Sequence, residues 1–191
     1  MAFLKKYSYI IIKLFLNQFA ISLFGVALAF ACSRAENDKL LLLTSIFAVL
    51  FYLFLEYAVI WEVGAKDGIS ATARHTSRGL WRGFVISLCA NALNFLATLL
   101  VLTKLFTGGD NPVSAVAQFV AMMLQGMYQG ILSQFVGGVQ LHTLPWMFVV
   151  ILLPAVIVTG VGYIIGNYNL HATNILIPKN KDVKNNGRPI D

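Results

Sequence analysis

Four stretches of this chain, Leu14 to Cys32, Leu40 to Trp61, Phe84 to Leu102 and Trp146 to Ile165, run about 19 to 22 residues with hardly a charge, the length a helix needs to cross roughly 30 Å of hydrocarbon. Inside a bilayer every backbone polar group must be satisfied within the protein, which leaves helices as the simplest solution. A water-soluble globule also needs charged surface, and 58% hydrophobic against 12% charged residues cannot supply it. The expectation is an all-α integral membrane bundle of four transmembrane helices. Residues 1–167 form its single domain, and 168–191, rich in Asn and Lys with Pro178 and Pro189, form a flexible tail.

The formal charge of +6 comes from Lys and Arg placed beside the apolar spans, which points to lipid headgroups rather than nucleic acid. Basic residues in short loops mark the cytoplasmic side. Lys5 and Lys6, then Lys66, Arg74, Arg78 and Arg82, then Lys179, Lys181, Lys184 and Arg188 belong on one side, against Arg34, Lys39 and Lys104 on the other. Both termini are therefore expected in the cytoplasm of a multi-pass protein of the cell membrane. Lys13, behind Lys5 and Lys6, opens an apolar run ending in small residues and Cys32; its length favours an uncleaved anchor over a signal peptide.

The same side count governs Pro112 to Val136, which is long enough to span. Crossing there would carry the basic tail outside, so this segment is expected to be an amphipathic or re-entrant helix. Asn111 can cap it and Pro112 suits its first turn. Ser114, Gln118, Gln125, Gln129 and Ser133 fall on one uncharged polar stripe. Such a stripe fits against protein or a wet cavity, or covers the outer face of the bundle. Gly126 and Gly130 allow close helix approach.

Each span carries a stripe of small or polar residues, the feature that holds helices together in lipid. On the first, Lys13, Asn17, Ala20, Ala27 and Ala31 share a face; on the second, Ser45, Tyr52 and Glu56 do. On the third it is Ser87, Asn91, Asn94 and Thr98, and on the fourth Ala155, Thr159, Gly162 and Gly166. Glu56 is the most telling, because a carboxylate at that depth costs several kcal/mol (about 3) unless neutral, paired or hydrated. Helix counting places Lys13, Asn17, Glu56, Asn91 and Asn94 at similar depth, as one polar intramembrane cluster. It serves either as a binding or proton-handling site, or as polar glue with a Lys13 to Glu56 ion pair. Gly162 and Gly166 offer a face for dimerisation or for a partner. Pro154 is expected to kink the last helix, and Trp61, Trp81 and Trp146 to anchor at the interfaces.

The segment carrying Lys66, Arg74, Arg78 and Arg82 is the candidate contact for a partner or for headgroups. Cys32 and Cys89 do not pair by spacing or depth, and His75, His142 and His171 are scattered, so no metal site or cofactor is expected. The four spans hold no His and no Asp, the residues intramembrane catalysis would call for.

The run Trp61-Glu62-Val63-Gly64-Ala65-Lys66-Asp67, followed by a basic segment and Ala90-Asn91, resembles a family of small multi-span membrane proteins of Gram-positive bacteria. The resemblance implies architecture and no activity. The expectation for function is a non-enzymatic membrane protein that handles a small solute, alone, as a homo-oligomer, or as a small subunit of a transport assembly. The competing reading is an interaction protein, an immunity or regulatory factor, docking through the basic loop.

Overall fold

The computed structural model describes residues 2–34, 38–107, 112–135 and 146–170. The tail expected to be flexible, from residue 171 on, lies outside the described residues, as do His142, His171, Asn111, Val136 and the side chains of Ser133 and Lys104. The described chain is all helix: α1 (Ala2–Arg34), α2 (Asp38–Ala73), α3 (Arg82–Ala90), α4 (Ala92–Thr107), α5 (Pro112–Gln125), a 3₁₀ turn (Gly126–Tyr128), α6 (Gln129–Phe135) and α7 (Met147–Asn167).

Helix α2 is the spine, and the directions of its neighbours follow from who meets whom. Lys6 of α1 reaches Asp67 near the end of α2, while Cys32 meets Thr44 near its start, so α1 and α2 are antiparallel. Thr159 meets Glu56 and Tyr163 meets Asp67, so α7 runs parallel to α2. Gly83 and Phe84 pack on Tyr163 and Gly160, so α3 is antiparallel to α7. The starts of α1 and α3 and the ends of α2 and α7 thus share one end of the bundle, which also gathers Lys5, Lys6, Lys66, Arg74, Arg78 and Arg82. Each of the two helices that stop there is closed by one residue in the left-handed region, His75 (φ 51) after α2 and Asn169 (φ 53) after α7.

These directions constrain the course of the middle of the chain. Helix α3 starts at the basic end and α7 at the opposite end, so one net crossing lies between them. The bent pair α3 and α4 and the 21-residue segment Pro112–Leu132 are both long and apolar enough to supply it. The turn between α5 and α6 is sunk in the bundle: Gly25 of α1 touches the backbone of Met127, some 10 Å or more along α1 from Cys32 at about 1.5 Å per residue. The polar stripe of the Pro112 segment faces protein, with Ser114 and Gln125 buried. The broken helix leaves backbone groups that lipid could not satisfy. Ser22 takes two of them, donating to the Met123 carbonyl at 2.7 Å and accepting from the Gly126 N–H at 3.1 Å, and Ser45 accepts from the Gly130 N–H at 3.0 Å. Gly126 and Gly130 do provide close approach, to Val26 and to Ser45 and Leu41.

Four expectations need correction. The third span is not one straight helix: it bends by 61° at Asn91, where the side-chain amide donates back to the Ser87 carbonyl at 3.1 Å, a local bond that competes with helix continuation. The second helix does not stop near Trp61 but runs to Ala73, so Lys66 is helical. The glycines there do not end the helix; Gly64 and Gly68 lie against Tyr163 and Asn167. Gly162 and Gly166 are not free for a partner, since Tyr57, Ile60, Trp61 and Ala65 of α2 occupy that face. Finally, α1 buries Leu14, Gln18, Ser22 and Cys32 and leaves Ala20, Ala27 and Ala31 exposed, with Lys13 and Asn17 only half-buried. Alanine is at home in lipid, so it marks an inner face poorly; the polar Gln18 and Ser22 mark it better. Helix α7 stays helical through Pro154. Large apolar side chains such as Phe47, Leu50, Phe54, Leu99 and Phe119 are exposed around the circumference, as a lipid-facing bundle requires.

Candidate functional site

Glu56 projects from the middle of α2 into the bundle and is 1% exposed. Its one described partner is the Thr159 hydroxyl, 3.4 Å from Oε2, and that hydroxyl also donates to the Ala155 carbonyl at 2.7 Å. A hydroxyl has a single hydrogen, and the shorter bond holds it, so the carboxyl receives little. Oε1 has no partner among the described residues.

Other buried polar groups of the bundle are in the same condition. Tyr52, one turn earlier on α2, and Tyr128, from the turn between α5 and α6, lie within electrostatic reach of Glu56; both hydroxyls are buried and unpartnered. Gln125, wholly buried, has neither its amide oxygen nor its nitrogen bonded. From α3 and α4 come Ser87, Asn91, Asn94 and Thr98, all buried. Asn94 donates to the Asn91 oxygen at 3.1 Å, yet the Ser87 and Thr98 hydroxyls and the Asn94 oxygen have no partner. In native interiors such groups are few and each needs a reason.

Of the five residues expected to cluster, Glu56, Asn91 and Asn94 are buried inside, although no described bond joins the acid to either asparagine. Asn17 is half-buried on α1. Lys13 lies elsewhere, in a groove lined by Glu62, Lys66 and Asp67, where its charge acts on Glu62; its ion pair with Glu56 is not among the described contacts. Sequence reasoning missed Tyr128 as a member, because only the packing of the 3₁₀ turn after α5 brings it beside α2.

A second acid, Asp67, has the opposite environment. It accepts from Lys6 Nζ at 2.7 Å on Oδ1, and from the Tyr7 and Tyr163 hydroxyls at 2.5 Å and 2.7 Å on Oδ2. The Arg82 guanidinium lies against the same two tyrosines. This clasp ties the basic ends of α1, α2, α3 and α7 together, so Arg82 is half-buried and committed to the fold rather than offered as a contact. Lys66 is exposed and pairs with Glu62 at 2.6 Å. Arg74 is exposed, and Arg78 lies 4.8 Å over the Tyr168 ring. Trp81 and Trp146 are exposed at opposite ends; Trp61 is half-buried and donates to the Leu170 carbonyl at 3.2 Å.

Helix lengths and an apolar circumference define a polytopic membrane protein. No family model matches this chain, and no curated protein or solved structure matches it. What the chain does has to be read from the chemistry of its interior.

Proposed function

We propose that this protein handles a proton or a small cation at mid-membrane, by itself or as a small subunit of a transport assembly, without covalent chemistry. The observation that carries this reading is Glu56, sealed in the bundle with one carboxyl oxygen unpartnered among the described residues and with the unpartnered hydroxyls of Tyr52 and Tyr128 within electrostatic reach. Acids within spans that are neither paired nor hydrated mark ion and proton pathways by default. Oxygens dominate the buried unpartnered side-chain atoms of the described residues, with the Gln125 nitrogen the single buried nitrogen among them, and that composition favours a positively charged guest.

The orientation we propose puts the basic end in the cytoplasm, supported by the gathering of Lys and Arg there. Reporter fusions to either terminus are expected to read the cytoplasm. The functional test is an imposed proton, sodium or potassium gradient across proteoliposomes. Vesicles with the wild-type chain are expected to dissipate one of the three, and Glu56→Gln to return that flux to the level of empty vesicles while the protein remains folded. Flux unaffected by Glu56→Gln would sink the proposal.

A second reading is favoured by the exposure of Lys66, Arg74 and Arg78, which leaves a basic surface free to dock another membrane protein in a regulatory role. Crosslinked capture that survives neutralisation of Arg74 and Arg78 would remove the reason for it.

A further inference from the structure

A groove of about 400 Å³ runs between α1 and α2 near the basic end, a volume within the range of small-molecule sites. Three ammonium groups line it, those of Lys6, Lys13 and Lys66, against two carboxylates, Glu62 and Asp67. The carboxylates are already engaged: Glu62 holds Lys66 at 2.6 Å, and Asp67 holds Lys6 at 2.7 Å with two tyrosine hydroxyls on its other oxygen. Lys13 is left with no bonded partner among the described residues.

Depth makes that unpaired charge significant. Lys13 lies about 10 Å along α1 from Lys6, toward the opposite end. A cation at that level needs an anion or a route to water. Beside it the groove is apolar, lined by Ile10, Val59 and Val63, and the exposed Tyr9 is a further lining residue. The groove therefore offers one excess positive charge against an apolar wall.

We infer that this groove is a binding site for an anionic phospholipid, whose phosphate pairs with Lys13 while an acyl chain lies along Val59 and continues deeper into the membrane. Charge complementarity selects an anionic headgroup, and the apolar wall selects a lipid over a soluble phosphate. Attraction of one ammonium near a membrane surface corresponds to a preference of about fivefold.

The test is lipid retention by the purified full-length protein in mixed micelles, read by native mass spectrometry. Phosphatidylglycerol is compared with phosphatidylcholine of the same acyl chains, and glycerol phosphate is the soluble arm. The wild type is expected to keep phosphatidylglycerol about fivefold over phosphatidylcholine, to lose that preference in Lys13→Gln and to keep it in Lys13→Arg. Glycerol phosphate is expected neither to bind nor to compete. Equal retention of the two lipids by the wild type would overturn the inference without any variant having to fold, and would mean that Lys13 reaches water instead. An undiminished preference in Lys13→Gln would move the lipid to another site, and competition by glycerol phosphate would replace the lipid with a soluble anion.

Discussion

Glu56 and Asp67 stand on one helix, eleven residues apart, which is close to three full turns, so both face the same way. Both look toward α7, one at Thr159 and the other at Tyr163. Yet Asp67 takes three hydrogen bonds from two other helices, while Glu56 has one long contact and an oxygen with none. An acid that serves assembly is saturated by its own chain. One that is buried and left hungry costs stability, and that cost makes sense where a guest or a proton supplies what the chain withholds.

The comparison rests on α2 and α7 forming a rigid frame that holds both acids in place, so the largest expected effect is on that frame. A β-carbon at Gly166 would run into the Trp61 carbonyl and come 3.1 Å from the Ala65 nitrogen, backbone atoms that cannot turn aside. Gly166→Val is expected to cost about 3 kcal/mol or more and to lose the monodisperse folded species in detergent. An unchanged unfolding temperature would mean the two helices can separate, and the acids would no longer share a scaffold.

Next comes the saturated acid. Asp67→Asn removes the partner of Lys6 and weakens two tyrosine bonds. Lys6 is 55% exposed, so its share is discounted for solvent screening, and the total expected loss is about 2 kcal/mol in thermal or denaturant unfolding. Glu56→Gln, in contrast, keeps shape and removes a charge with almost no compensation, so stability is expected to move by less than about 1 kcal/mol, with flux abolished. Should Glu56→Gln destabilise as much as Asp67→Asn, the two acids would be alike and Glu56 would be glue.

How far the sequence disclosed this molecule depended on what each residue's signal was about. Span length led to an all-helical membrane bundle, because it is set by the thickness of the bilayer, and the segment from Pro112 was expected as a helix, which it is. The inward faces of the second, third and fourth spans were legible because Glu56, Asn91, Asn94 and Thr159 are costly in lipid. The Asn91 bend was not, since asparagine is as compatible with a buried helix as with a break. Nor was the Asp67 clasp: Asp67 looked like loop charge, and only the continuation of α2 past Gly64 and Gly68 carries it to Tyr7 and Tyr163. Lys13 was read by depth alone, and depth does not say which side of a helix faces which neighbour.

The smallest expected effect tests the corrected face of α1. Ala27 is exposed and Gly25, two residues before it, lies buried against the backbone of Met127 with 2.6 Å to its Cα from a would-be β-carbon. Ala27→Leu adds an apolar side chain to a surface that meets lipid, so unfolding should shift by no more than about 0.5 kcal/mol. Gly25→Leu would drive the 3₁₀ turn out of its seat and displace Tyr128 from Glu56. If the two substitutions cost the same, Ala27 would face protein after all, and the stripe of Ala20, Ala27 and Ala31 would mark a contact with a second copy of the chain that the isolated bundle leaves uncovered.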